Sequence, residues 1–159
     1  MTRFSSLQFH TAVAAMALTG ALASGSAAAA DPTVIELTQT NCQFVEPENG
    51  KDHGYASTRK EDCVAINDRT ADERLAGSQT IELEPGKYVF RVTNQNVAYP
   101  LGFWLRGDGL VGRATLPSVS GGGLVTGGTK DYEIELVAGE YVFSCPLNNT
   151  PDYRLVVKG

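Results

Sequence analysis

Residues 81–90 (IELEPGKYVF) and 134–143 (IELVAGEYVF) have nearly the same sequence, and together they decide the fold. In both stretches an alternating run of apolar and acidic residues leads through Pro-Gly or Ala-Gly into a second run rich in Tyr, Val and Phe. Alternation of period two is typical of a strand with one buried face. We expect two hairpins, with Gly86 and Gly139 at turn positions of positive φ. Two such strand–glycine–strand turns favour a Greek-key β-sandwich.

The same strand pattern covers most of the chain after residue 31. Strands are predicted at 34–39, 80–84, 87–93, 132–137, 140–145 and 153–158, each rich in Val, Ile, Tyr, Phe or Thr and bounded by turn residues. No segment has an apolar face of helical period, and only 70–76 (TADERLA) suggests one or two helical turns. The predicted fold class is therefore all-β.

Two segments interrupt the strand pattern. Residues 46–74 are polar and charged, which predicts an ordered insertion loop over one end of the barrel. Residues 107–128 contain eight glycines, which predicts a long crossover between sheets. A glycine-rich loop can also bind phosphate, but that chemistry needs a Lys-Ser/Thr pair at the start of a helix, which this segment lacks.

The first 30 residues resemble an export signal. Arg3 is followed by an apolar run at 11–22 and by an Ala-rich end at 28–30, which predicts a secretory signal peptide cleaved before Asp31. The predicted domains are thus a signal peptide at 1–30 and a single β-domain at 31–159. The apolar run is shorter than the roughly 20 residues that span a bilayer, so we expect no membrane span in the mature form. The Ala-rich composition of this segment is typical of bacterial signal peptides, so we expect a periplasmic protein.

Composition excludes several functions. The 159-residue chain has a net charge of −5, and a nucleic-acid binder needs a basic face. It has two histidines. Because His10 lies in the predicted signal peptide, His53 is the only imidazole expected in the mature protein. A mechanism that needs two imidazoles is therefore excluded.

Three cysteines in an exported chain allow one disulfide and leave one thiol. Cys42 and Cys63 flank the polar insertion with 20 residues between them. Closing a loop of that length stabilises a fold by about 3 kcal/mol in the chain-entropy model. We predict a Cys42–Cys63 disulfide, with Cys42–Cys145 as the alternative.

Residues 92–101 (VTNQNVAYPL) and 141–157 (YVFSCPLNNTPDYRLVV) resemble the cupredoxins. Blue-copper members of that family bind copper through a His after an Asn-containing strand, then through a Cys, a His and usually a Met between the last two strands. Here Leu101 stands in place of the first His, and the loop after Cys145 has neither His nor Met. Because blue-copper ligation needs two imidazoles and a thiolate, the resemblance implies the cupredoxin-like sandwich without a type 1 copper site.

A closer resemblance is to the cupredoxin-like domain of periplasmic ferrous-iron-uptake (EfeO-type) proteins. It covers about residues 34–43 and 79–159, including the ending Gly-Glu-Tyr…Cys…Leu-Val-Val-Lys-Gly. That family's metal role is attributed to two Cys positions with acidic residues. Cys42 and Cys145 match the cysteines, but the acidic positions fall near 101–103 and in the glycine-rich segment, on apolar or small residues.

The remaining donors for a metal are few. We select Cys145 with Asp152 as the candidate metal ligands for copper or iron, since a thiolate with carboxylates suits a borderline metal weakly. The other available donors are His53, Asp52, Glu46 and Glu48. A small buried residue at the end of a core strand is the alternative interpretation of Cys145. A Cys nucleophile needs an adjacent imidazole base, so we predict no enzyme.

Residues 99–105 (YPLGFWL) are aromatic and apolar, and Phe103 and Trp104 should point to opposite faces of a strand. We predict an apolar interaction face for an unknown periplasmic protein, formed by Tyr99, Leu101, Trp104, Pro146 and Leu147. The alternative is that these residues only close the barrel's end. The sequence thus leaves two functions: a binding or accessory module, with a role in metal handling, and a metal or electron carrier that uses Cys145.

Overall fold

The structure, a computed structural model, describes residues 31–159, so the predicted signal peptide at 1–30 lies outside the described residues. The strands are β1 (Thr33–Thr40), β2 (Gln43–Phe44), β3 (Ile81–Leu83), β4 (Gly86–Asn94), β5 (Leu101–Gly107), β6 (Val119–Leu124), β7 (Thr129–Leu136), β8 (Gly139–Ser144) and β9 (Tyr153–Val157). The helices are α1 (Lys60–Ala76), α2 (Gly109–Thr115) and a 3-10 helix at Glu46–Glu48.

The strands form two packed sheets with Greek-key connections. The first sheet has the order β2-β1-β4-β7 and the second the order β3-β9-β8-β5-β6. Strands β1 and β4 pair in parallel, as do β3 and β9, while the other pairs are antiparallel. The chain changes sheet between β2 and β3, β3 and β4, β4 and β5, β6 and β7, and β7 and β8. This confirms the predicted all-β Greek-key sandwich.

An aromatic cluster fills the space between the sheets. The ring of Phe143 on β8 lies 5.4 Å from that of Phe44, 6.1 Å from that of Phe103 and 5.5 Å from that of Tyr153, measured between centroids. All four side chains are buried. Offset and edge-to-face pairs of this kind stabilise a core beyond the area that they bury. The inward position of Phe103 agrees with the expected alternation along β5, since Trp104 beside it is part-exposed.

The two repeated stretches are corners between the sheets, and the prediction of hairpins was wrong. Strand β3 pairs with β9, whereas β4 pairs with β1 and β7. Each corner is fixed by a tyrosine that donates to the carbonyl four residues earlier: Tyr88 to Glu84 O at 2.7 Å and Tyr141 to Val137 O at 2.9 Å. This bond is of the kind found in the tyrosine corners of other sandwiches.

Only one of the two corner glycines has the expected positive φ. Gly139 has φ 159°, whereas Gly86 is not among the residues of positive φ, so the prediction for Gly86 was wrong. At Gly139 the requirement is space, because a Cβ there would lie 2.8 Å from Leu116 Cδ1. The two repeated stretches therefore share the tyrosine hydrogen bond at the corner and not the backbone conformation of the glycine.

The polar insertion at 46–74 is helical, and the prediction of a loop was wrong. Besides the 3-10 helix, it contains most of α1, a helix of 17 residues. The buried residues of α1 are Cys63, Asn67 and Arg74, which share one face at spacings of four and seven. Because this face is polar, hydrophobic periodicity could not reveal it. The predicted disulfide is confirmed, since Cys63 is bonded to Cys42.

The glycine-rich segment at 107–128 is also more regular than a crossover loop. It contains α2 and β6, and β6 pairs antiparallel with β5. Side chains of β7 reach across to β6, where Lys130 donates to Gly122 O at 2.8 Å and Tyr132 to Gly121 O at 3.4 Å. These bonds join the open edges of the two sheets. Among the described residues, no helix has the length and apolar character needed to cross a membrane.

Candidate functional site at the Cys145 end

Cys145 follows β8 and is the one free cysteine, fully buried at the end of the sandwich. Its Sγ accepts hydrogen bonds from the backbone N–H of Gly102 on β5 and of Asn148, both at 3.3 Å. Burial raises the pKa of the Cys145 thiol, although these backbone hydrogen bonds oppose the change. The thiol is therefore protonated at neutral pH, which weakens it as a ligand or nucleophile.

Asp152 is engaged by a guanidinium group. Both of its carboxylate oxygens accept from Arg106 Nη2 at 2.7 Å, and the Arg106 guanidinium lies 4.0 Å from the centroid of the Trp104 ring. Within residues 31–159 there is no group of three or more His, Cys, Asp or Glu side chains that could hold a metal ion. The pairing of Cys145 with Asp152 on a metal stays a prediction.

Asn148 forms the link between Cys145 and the polar insertion. Its Nδ2 donates to Thr40 O at 2.8 Å, and its Oδ1 accepts from the backbone N–H of Cys42 at 2.9 Å. The Oδ1 also lies 3.4 Å from Sγ of the disulfide-bonded Cys63. The backbone N–H of Asn148 contacts the Cys145 sulfur. Asn148 therefore lies between the free thiol and the disulfide.

A buried ion pair holds the insertion on the other side of the disulfide. Arg74 Nη2 lies 2.6 Å from Glu48 Oε1, and the two side chains are 5% and 3% exposed. The hydroxyl of Tyr153 donates to the same oxygen, and His53 Nε2 lies 2.7 Å from Glu48 Oε2. The ring of Tyr55 stacks on that of His53 at 5.3 Å. Two of the predicted alternative metal donors, Glu48 and His53, are therefore partners of this network.

The electrostatics of the network favour an ionised carboxylate. Burial by itself raises the pKa of Glu48, but hydrogen bonds from Arg74 and Tyr153 and the charge of Arg74 outweigh it, so the pKa lies below its usual value. Burial, together with the charge of Glu48, raises the pKa of Tyr153 far above its usual value. Tyr153 is thus a permanent donor and Glu48 a permanent acceptor at neutral pH.

The remaining acidic candidates bind backbone groups. Glu46 Oε2 accepts from the Thr38 N–H at 2.7 Å, and Asp52 Oδ1 accepts from the Gly54 N–H at 2.8 Å. Glu46 therefore ties the insertion to β1, and Asp52 shapes the insertion locally. Neither has a hydrogen bond to Cys145.

Part of the predicted interaction face comes together as a groove. Trp104, Pro146 and Leu147 line a groove of about 380 Å³ whose floor is made by glycines of β6. Leu147 is 45% exposed. Leu101 is fully buried in the core, and the Tyr99 hydroxyl lies 3.1 Å from Ser57 Oγ, so these two side chains close the end of the barrel. Partner binding at the groove stays a prediction.

Sequence reasoning missed three residues that organise this end: Asn148, Asn67 and Arg74. Asn67 Nδ2 donates to the Asn149 carbonyl and Arg74 Nη2 to the Cys42 carbonyl. Asn67 and Arg74 lie four and eleven residues after Cys63, a spacing that places all three on one face of a helix. Such a polar face is visible in the sequence only if polar residues are examined for helical period. No signal in the sequence pairs Asn148 with residues of β1, more than 100 positions away.

No protein-family model matches the chain, and no curated protein matches its sequence. Among solved structures, auracyanin B is similar with a TM-score of 0.49 and 12% identity, over 83% of this chain and 94% of that one. Auracyanin A, a "blue" copper protein from the green thermophilic photosynthetic bacterium Chloroflexus aurantiacus, is similar with a TM-score of 0.42 and 15% identity, over 80% and 99% of the two chains.

Proposed function

We propose that this protein is an exported, non-enzymatic binding module with a cupredoxin-like fold and no type 1 copper site. It works through contacts made by the groove at its Cys145 end. The observation that carries this proposal is the state of Leu101, where the resemblance expects the first imidazole, and of the loop after Cys145, which has neither His nor Met. Leu101 is buried in the core, and Asn148, three residues after Cys145, uses its side-chain amide on the backbone of β1 and Cys42.

The donor set around Cys145 does not fit a type 1 copper ion. Such a site needs two imidazoles and a thiolate. The one histidine among the described residues, His53, is bonded to Glu48 within the insertion. At Cys145 a leucine, an asparagine and a protonated thiol remain, so no type 1 copper chemistry is assigned to this end.

The groove has the features of a small docking site. Pro146 and Leu147 are exposed, while Cys145 and Asn148 on either side of them are buried and hydrogen-bonded, so the apolar pair stands on a fixed base. Trp104 forms the opposite wall. Exposed apolar surface beside an aromatic ring is favoured at protein interfaces. The support for export is the signal peptide that the sequence predicts at 1–30, and the resemblance to EfeO-type domains supports an accessory role in metal handling.

Site-specific photocrosslinking tests the docking proposal. A photoreactive amino acid at Leu147 should give one discrete protein adduct in cells that produce the protein. The matched control is Val34, an apolar residue of β1 that is 41% exposed and should give none. The adduct at Leu147 should also disappear when Trp104→Ala removes the facing wall. Equal labelling from Leu147 and Val34, or no adduct from either, would contradict the proposal.

A second candidate function is a carrier of copper or iron on Cys145. Its support is the pair of backbone N–H groups aimed at the sulfur, which would stabilise a thiolate. This function predicts stoichiometric binding of Cu(I) or Fe(II) that Cys145→Ser abolishes and that the Cys42→Ser/Cys63→Ser double variant retains. Absence of stoichiometric binding to the wild type would remove it.

A further inference from the structure

Helix α1 is attached to the sandwich by an unusual set of contacts. Its buried residues are Cys63, Asn67 and Arg74, and no residue of α1 belongs to the buried apolar core. Leu75 is its one apolar side chain that packs against that core, and it is only half-buried. An amphipathic helix normally docks through an apolar stripe. This one docks through a disulfide and a line of polar groups.

The buried polar side chains of α1 reach the disulfide, the 3-10 helix, and the last loop and strand. Asn67 donates to the carbonyls of Cys42 and Asn149. Arg74 donates to the Cys42 carbonyl and binds Glu48 and the Tyr153 hydroxyl. Cys63, Asn67 and Arg74 of α1 thus all contact Cys42, the first through the disulfide and the other two through hydrogen bonds to the Cys42 carbonyl. Reduction of the disulfide removes the only covalent one of these three contacts.

Asn148 lies between helix α1 and the free thiol. Asn148 touches the disulfide through its side chain and the Cys145 sulfur through its backbone. Tyr99 lies in the same layer, with its hydroxyl 3.4 Å from Asn148 Oδ1. With α1 in place, Cys42, Cys63 and Cys145 are all fully buried. Without it, Asn148 would be the outermost layer above Cys145.

We propose that α1 is a lid over the Cys145 end, latched by the Cys42–Cys63 disulfide and released when a dithiol reductant opens that bond. A thiolate of the reductant attacks one sulfur, and the other leaves as a thiolate and takes a proton. The second thiol of the reductant then displaces the first cysteine. Two electrons and two protons pass to the protein, which gains two thiols, and the reductant becomes a disulfide.

The route for the reductant is the chain between the 3-10 helix and α1. Residues 51–59 have no helix or strand, and most of them are exposed, so local opening there exposes the disulfide without disturbing a sheet. The apolar core lies in the strands and their connections, and Leu75 is the one residue of α1 that packs against it. Reduction therefore loosens the helix, which keeps only its polar contacts through Asn67 and Arg74, and leaves the apolar core of the sheets in place.

The test compares alkylation of Cys145 by a maleimide in the wild type and in the Cys42→Ser/Cys63→Ser double variant, where Cys145 is the only thiol. Loss of a cross-link that closes a loop of this length should accelerate labelling on the order of 100-fold. In hydrogen exchange, amides of α1 should lose protection while those of β4 and β8 keep theirs. The control for general destabilisation is the Tyr141→Phe variant, which weakens the sandwich but keeps the Cys42–Cys63 disulfide. In this variant Cys145 should be labelled at the wild-type rate.

Two results would overturn the latch. One is an unchanged labelling rate in the double variant, and the other is faster labelling accompanied by lost protection in β4 and β8, which indicates global unfolding. Wild-type protein reduced with dithiothreitol and followed by hydrogen exchange gives the same comparison without substitutions, so poor folding of the double variant does not prevent a decision. Reoxidation should then restore protection of α1.

Discussion

Replacement of Arg74 by Met should destabilise the folded protein by about 3 to 5 kcal/mol at neutral pH, because it leaves the buried Glu48 carboxylate without its cation. The methionine keeps most of the aliphatic stem, so the loss reports on charge and hydrogen bonds and not on a cavity. Arg74 contacts both carboxylate oxygens of Glu48, the Cys42 carbonyl and the Asn67 side chain. These groups would be left buried with fewer donors.

The cost should shrink in acid, and the sign follows from the two pKa values of Glu48. In the wild type its pKa is lowered on folding, so the pair stabilises the fold above the unfolded pKa and that stabilisation is lost as pH falls through the folded value. In Arg74→Met, burial without a cation raises the pKa instead, and protonation of Glu48 removes the unpaired charge. The variant should therefore lie closer to the wild type at about pH 4 than at about pH 7.

Urea unfolding followed by the fluorescence of Trp104, the single tryptophan, measures both quantities with the disulfide intact. The control is Glu48→Gln/Arg74→Met, which should cost clearly less than the sum of the single variants because the two groups interact directly. A loss below about 1 kcal/mol for Arg74→Met at neutral pH, or an equal loss at both pH values, would refute the reasoning.

Three further substitutions test the hydrogen bond of one corner and the steric requirement at two glycines. Tyr141→Phe removes the hydroxyl that donates to Val137 O, and urea unfolding should show a loss of about 1 kcal/mol, whereas no change would mean that this bond does not hold the corner. Gly107→Ala places a methyl against the backbone carbonyl of Gly112 and should cost about 2 kcal/mol or more. Gly86→Ala meets only an ordinary contact with the Tyr88 ring at 3.8 Å, so a similar loss in both glycine variants would contradict the steric argument.

Alternation along the chain was enough to find the strands that have one buried and one exposed face. All six predicted strands are present, with ends displaced by up to three residues. Strand β5 was not predicted as a strand with bounds, because nearly every residue from Leu101 to Gly107 is buried and the period-two pattern disappears. A local pattern also does not show which strands pair with each other. Two strands joined by a short turn are normally expected to form a hairpin, whereas here they belong to different sheets.

The disulfide was predictable because the two cysteines bracket a segment that has few apolar residues. Helix α1 was not, since Cys63, Asn67 and Arg74 form a docking stripe that a hydrophobicity pattern ignores. The groove could be predicted in part, from Trp104 and the Pro146–Leu147 pair. The role of Asn148 depends on partners in β1 and on the disulfide, and only the folded chain brings them together.

Titration of the purified, oxidised protein with Cu(II), followed by visible absorption, tests the central claim most directly. The account predicts no intense band near about 600 nm, because no two imidazoles can join Cys145 on one ion. An intense band in that region at one copper per chain, absent in Cys145→Ser, would show a type 1 site and contradict the account.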